Sequence, residues 1–249
     1  MIEHQNTIVV IPARMASARL PGKPLADIHG NPMIVHVWRR AIEANVGRVL
    51  VAAAEIEIAD AIRDHGGDAI VTTSSLPSGT DRIAEALRLR DPQGQYRFVV
   101  NLQGDIPLIE PLSIQRCLAG LVNEAADIST IAAEITDPAD LANPHIVKAV
   151  VPLSAEREVA FARDFVRVVE EDQPPPHWHH VGVYAYKRAA LERFVSLPVS
   201  ANEAERRLEQ MRALDNGLRI VVVRVDTAAL GVDTPAELDI ARQLLRTPT

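Results

Sequence analysis

The first half of this chain alternates short β-branched runs with amphipathic stretches. That order predicts an α/β fold, a mostly parallel mixed sheet flanked by helices, with a small sheet extension or lobe. The 249 residues, 47% hydrophobic and 24% charged, suffice for one large domain of globular composition. Cys117 is the only cysteine, so neither an internal disulfide nor a cysteine-built zinc site is available, and packing must carry the fold.

The elements follow in order. Residues 7–11, 48–53, 68–71 and 97–102 read as strands, being short, β-branched and bounded by turn formers. Between them, residues 32–44, 57–65, 80–89 and 113–123 place apolar side chains at three- and four-residue spacing and read as helices. From Asp127 onward the pattern loosens. Strands are expected at 128–133, 147–151 and 181–186, helices at 188–194 and 203–214, then a strand at 219–225 and a closing helix at 235–245. The run Gln173-Pro174-Pro175-Pro176 must be a helix-free loop, since consecutive prolines remove donors and hold an extended backbone. No internal repeat or linker interrupts the chain, so residues 1–249 read as a single domain. Ligands of such a fold gather beyond the carboxyl ends of its strands.

Charge and hydropathy narrow the function. A net charge of -7 argues against nonspecific nucleic-acid binding, no apolar run is long enough to span a membrane, and the N-terminus lacks the pattern of a signal peptide. A reducing cytoplasm fits the lone cysteine.

Three constellations could carry chemistry. Residues 11–25, IPARMASARLPGKPL, leave the first strand with Arg14, Arg19 and Lys23 and no acid. Guanidinium forks and an ammonium neutralise a polyphosphate, and small residues let backbone N–H groups approach it; an ordinary basic surface loop is the alternative. The segment is neither a GxxxxGK[ST] loop nor a GxGxxG turn. In Asn101-Leu102-Gln103-Gly104-Asp105 a strand stops at a glycine and an acid. Asp105 there can hold Mg²⁺ and Gln103 can read a base or ribose, or the pair is a plain turn. In Gly231-Val232-Asp233-Thr234-Pro235-Ala236-Glu237, Thr234 fits a helix N-cap, Pro235 the first helical position and Glu237 the reciprocal acid of a capping box. Asp233 is left outside the helix, either for a metal or merely to favour the helix end.

Weaker signals remain. Ser78, Gly79 and Arg82 lie at a helix start that either meets a nucleotide or is only capped. Asn143-Pro144 with Lys148 reads as a turn entering a strand. In His177-Trp178-His179-His180 the histidines alternate across a strand and cannot share one zinc; His180 alone could donate to a substrate or be structural. Glu209, Gln210 and Arg212 could be no more than a solvated helix face.

Taken together, IPARMASARLPGKPL, SGTDR, NLQGD, NPHIVK, HHVGVYAY, LEQMR and GVDTP occur in an order that resembles the 3-deoxy-manno-octulosonate (Kdo) cytidylyltransferase family, from about residue 8 to 245. The resemblance implies a nucleotide-diphospho-sugar transferase fold and a cytoplasmic homodimer that uses Mg²⁺ and CTP to make CMP-Kdo for lipopolysaccharide. It implies that Pro12, Ala13, Arg14, Arg19, Lys23, Ser78, Gly79, Arg82 and Gln103 bind the nucleotide. Asp105 and Asp233 would hold the metal and, with Lys23, act in catalysis. His180, Tyr184, Glu209 and Gln210 would line the sugar site, with Arg163 partnering the sugar carboxylate. Residues 127–218 would hold the acceptor-binding and dimerisation elements.

The chain departs from the family pattern at several positions. Ala52-Ala53-Ala54 followed by Glu55 stands where Ala-Thr-Asp is usual, which implies a lost polar contact near the nucleotide. Ile106 replaces an acid, Ala162 a serine and Arg206 another acid. These changes bear chiefly on the acceptor, leaving 8-amino-Kdo or a sialic acid type of substrate, or a non-catalytic nucleotide-binding regulator, as rival readings.

Overall fold

The run Thr7–Ala13 is β1 of a computed structural model that describes residues 1–122, 125–169 and 175–245. Every side chain of β1 is buried, as a near-continuous apolar run demands when helices cover both sheet faces. A hairpin of β2 (Asp27–Ile28) and β3 (Asn31–Pro32) leads into α1 (Met33–Ala44), followed by β4 (Arg48–Ala53), α2 (Ile56–Arg63), β5 (Ala69–Val71), α3 (Gly79–Arg90), β6 (Phe98–Leu102) and α4 (Pro111–Ala119). The chain forms two compact units, residues 2–115 with 229–249 and residues 116–228.

In the first unit the strands lie in the order β5-β4-β1-β6, all parallel. Pairing of Ile8 with Arg48 and Val99 fixes the register, so β1, β4 and β6 end together where their loops carry the motif residues. The expected boundaries lie within two residues of those observed, except at 113–123: α4 ends at Ala119, a 3-10 turn covers Gly120–Val122, and Asn123 lies outside the described residues.

The second unit contains β7 (Ile128–Glu134), α5 (Pro138–Ala142), β8 (Lys148–Val150), β9 (Val159–Phe161), β10 (Asp164–Val166), β11 (Trp178–Lys187), α6 (Arg188–Ser196), α7 (Ala201–Arg206), α8 (Gln210–Asp215) and β12 (Ile220–Val225). Its sheet is mixed: β7 pairs with β12 in parallel and with β11 antiparallel, and β9 lies antiparallel on β12. Residues 203–214 form two helices rather than the expected one. Arg207 adopts a left-handed conformation (φ 55°), and Arg167 donates from Nε and Nη2 to the carbonyls of Arg206 and Arg207, which takes acceptors a continuous helix would use. Across the break Arg212 grips Glu203 by two bonds of 2.7 and 2.6 Å, which holds α7 on α8. Lys148 begins β8 as expected and donates to the carbonyls of Asn143 and Arg167. Of the proline run, Gln173 and Pro174 lie outside the described residues, and Pro175 and Pro176 are free of helix.

The chain then returns to the first unit as α9 (Pro235–Leu244). Val232, Leu238 and Ala241 pack with Ile28 and Met33 in a buried cluster that seats α9 beside the β2–β3 hairpin. Among the described residues no helix is long and apolar enough to cross a membrane.

Candidate functional site

The site begins where β1 ends. Pro12 and Ala13 pass into a loop in which Arg14 and Arg19 are exposed, and the loop turns back when Gly22, at φ 70°, gives its N–H to the Met15 carbonyl at 3.3 Å. Lys23 follows in a 3-10 turn with its side chain 13% exposed. Beside the loop, the backbone at Gly104 comes so close to β1 that a Cβ would stand 2.9 Å from the Pro12 carbonyl oxygen. Glycine is therefore required for Asp105 to reach this position.

The two aspartates meet. Lys23 Nζ donates to Asp105 Oδ2 at 2.7 Å and to Asp233 Oδ1 at 2.9 Å, and Arg19 Nη2 lies 2.8 Å from Asp233 Oδ2. Two elements enforce this. The Val232 N–H donates to the Asp105 carbonyl at 2.8 Å, and Val232 itself is fully buried. Directly after Asp233, α9 starts with the expected capping box: Thr234 Oγ1 accepts from the Glu237 N–H, and Glu237 Oε2 accepts from the N–H groups of Asp233 and Thr234. The carboxylate of Asp233 is thus spared from capping. Burial opposes the charge on Lys23, but Asp105 and then Asp233 outweigh it and hold the ammonium above its ordinary pKa. Burial likewise opposes the charge on Asp233, and Lys23 and Arg19 prevail, keeping it below the ordinary aspartate value.

These residues line one cavity of about 420 Å³ with Pro12, Ala13, Arg14, Ser78, Gly79, Arg82, Gln103 and Gly104, so every residue expected at the nucleotide is brought together. Several arrive already engaged. Ser78 caps α3, accepting from the Asp81 N–H and donating to Asp81 Oδ2. Arg82 donates to Thr72 Oγ1 and to the carbonyls of Thr73 and Ser74, so it stiffens the wall of the cavity. Gln103 gives its Nε2 protons to Asn101 Oδ1 at 2.8 Å, which orients the amide with its oxygen towards Gly79.

An oxygen-only pair of carboxylates converging on one cation suits Mg²⁺, which takes one or two carboxylates and fills its octahedron with phosphate oxygens and water. Among the described residues no group of three or more His, Cys, Asp or Glu could hold a metal, so a soft or all-protein site is absent there.

Glu55 is a site residue that sequence reasoning missed. Its Oε2 accepts from the Met15 N–H at 2.9 Å, a contact from the residue after Ala52-Ala53-Ala54 to the loop. No periodicity or motif signals it, because the partners are 40 residues apart.

The residues expected at the acceptor lie in the second unit. On β11 the rings of His180 and Tyr184 stand 5.4 Å apart, and Gln210 is buried at the start of α8. Burial raises the Tyr184 phenol, with the Tyr186 phenol and the Glu209 charge adding to it. His180, read as a substrate donor or a structural residue, is engaged with Thr130. Thr130 spends its hydroxyl proton on the Val183 carbonyl (2.7 Å) and faces His180 Nε2 at 3.0 Å, which assigns the proton to Nε2 and leaves Nδ1 an acceptor. Burial pushes its pKa down to about 3. Arg163 is exposed on a second cavity of about 400 Å³ with Lys148, His177 and Trp178, whose lining includes none of His180, Tyr184, Glu209 and Gln210.

Comparison with known proteins adds to this geometry. A cytidylyltransferase family model matches residues 8–220. A 3-deoxy-manno-octulosonate cytidylyltransferase of Paramagnetospirillum magneticum is 51% identical over 96% of this chain and 97% of its own, and one of Parvibaculum lavamentivorans is 54% identical over 96% and 93%. Among solved structures, a CMP:2-keto-3-deoxy-manno-octonic acid synthetase complexed with CTP superimposes with a TM-score of 0.87 at 38% identity, covering 96% of this chain and 98% of that one. A nucleotidyl transferase from Methanothermobacter thermautotroptrophicus shares the fold at a TM-score of 0.62 and 14% identity, covering 96% of each chain. Identity of this order along nearly the whole length, over a cavity whose charges match a nucleoside triphosphate, places the chain in the 3-deoxy-manno-octulosonate cytidylyltransferase family of nucleotidyltransferases.

Proposed function

We propose that the protein transfers CMP from CTP to the anomeric hydroxyl of Kdo, releasing pyrophosphate, as a cytoplasmic homodimer in lipopolysaccharide biosynthesis. The observation that carries this reading is the meeting of Asp105 and Asp233 on Lys23 beneath a loop that presents Arg14 and Arg19. The names of the relatives and the CTP complex of the solved neighbour supply the nucleotide and the acceptor.

Asp105 and Asp233 would hold Mg²⁺, which when bound supplies charge neutralisation at the α-phosphate. The anomeric hydroxyl oxygen forms the new bond to the α-phosphorus and gives up its proton to water, as the bond from that phosphorus to the bridging oxygen breaks and its electron pair leaves with pyrophosphate. Arg14, Arg19 and Lys23 would neutralise the charge that gathers on the departing group. Gln103 and the wall built by Ser78, Gly79 and Arg82 would hold the nucleoside beside those cations.

The test is pyrophosphate release with Mg²⁺ and Kdo across the four nucleoside triphosphates, repeated with CTP against 8-amino-Kdo and sialic acid. CTP with Kdo is expected to dominate. Release with a different acceptor only would correct the sugar, and no release from any pair would leave a nucleotide binder without catalysis. Asp105→Asn is expected to lower kcat by about a thousandfold or more while CTP affinity changes severalfold at most, because the carboxylate acts chiefly in the transition state.

A further inference from the structure

Glu55 occupies the N-cap position of α2 (φ −122°, ψ 150°), yet its side chain makes no cap bond to its own helix. N-caps favour Ser, Thr, Asp or Asn because a short side chain reaches back to the helix N–H groups. Here the longer carboxylate turns away and accepts from the Met15 N–H at 2.9 Å, 40 residues distant. Met15 is the hinge of the triphosphate loop. It directly follows Arg14, and its carbonyl receives the Gly22 N–H at 3.3 Å, one residue before Lys23. Glu55 and Gly22 therefore hold the two peptide groups flanking one Cα, and the ring of residues 15–22 is closed on that point.

An acid beside a cavity for a polyanion is electrostatically unfavourable for the ligand, although its charge favours the Arg82 cation in the cavity wall. The bond from the Met15 N–H offsets that repulsion with a contact an apolar residue would not make. We propose that Glu55 is a positioning residue for nucleotide binding: by accepting from Met15 it sets the loop that presents Arg14, Arg19 and Lys23 to the triphosphate. The role needs an acceptor and not a charge. This deepens the nucleotidyltransferase reading above and rests on it.

Isothermal titration with Mg²⁺-CTP and, separately, with inorganic tripolyphosphate measures the effect on wild type, Glu55→Ala and Glu55→Gln. Removing the acceptor is expected to weaken both ligands by about tenfold, the loss of one charge-assisted hydrogen bond. Glu55→Gln keeps an acceptor and sheds the charge, so it is expected to bind both within about threefold of wild type, on the tight side if anything. In turnover the same alanine variant is expected to raise the KM for CTP while kcat stays within about threefold, which a general loss of fold would not do. Wild-type affinity in Glu55→Ala, or a Glu55→Gln variant as weak as the alanine, overturns the proposal. A wild type that binds tripolyphosphate but not CTP would instead overturn the cytidine reading while leaving the Glu55 comparison to be read on tripolyphosphate. A wild type that binds neither overturns both.

Discussion

His180 shows how a single side chain sets an observable of the whole protein. Burial holds it neutral in the folded state down to about pH 3, whereas the unfolded chain takes up that proton near 6.5. Between those values the unfolded state binds more protons, so stability falls as pH drops below about 6.5 and the group has no effect above it. The slope from this one residue is at most about 1.4 kcal/mol per pH unit. Chemical denaturation at pH 7 and pH 4.5 is expected to show a smaller acid loss in His180→Gln than in wild type; parallel curves would deny His180 the buried, neutral state. At this scale the sequence was legible where chemistry sits in contiguous motifs, and Arg14, Arg19, Lys23, Gln103, Asp105 and Asp233 do share one cavity. What it could not give was pairing. Lys23 lies 82 and 210 residues from its two acids, and Glu55 lies 40 from Met15; such contacts belong to the folded chain, and no local rule encodes them.

Secondary-structure elements were legible in proportion to the strength of their local signals. The box Thr234-Pro235-Ala236-Glu237 names its own helix start, and α9 begins there. Thr234→Ala is expected to cost about 1 kcal/mol, a fall of about 3 °C in the melting midpoint. Because the same box seats Asp233, kcat should fall by more than the lost stability explains; activity unchanged at a lowered midpoint would separate the cap from the site. The helix at 203–214 misled for the opposite reason. Its residues have good helix propensity, and the break at Arg207 is imposed from outside by Arg167, whose guanidinium takes the local carbonyls. Three-residue strands such as β9 and β10 are too short for alternation to register, and they exist through pairing with β12 and β8.

The whole molecule sets a field opposed to its own site. A net charge of -7 surrounds a cavity walled by Arg14, Arg19, Lys23 and Arg82, so attraction of a triphosphate is local. Raising salt from about 50 to 500 mM shortens the screening length severalfold, and the KM for CTP is expected to rise by roughly tenfold, with a shallower response in Arg14→Ala. A KM indifferent to salt would mean that the exposed cation takes little part. The chain's return ties the site to tertiary packing. Residues 229–249 belong with residues 2–115, and Asp233 travels in that last stretch. Asp233 therefore reaches Lys23 only when that stretch docks on the rest of its unit. Loosening of α9 would carry Asp233 away from Lys23, so turnover is tied to the docking of that helix.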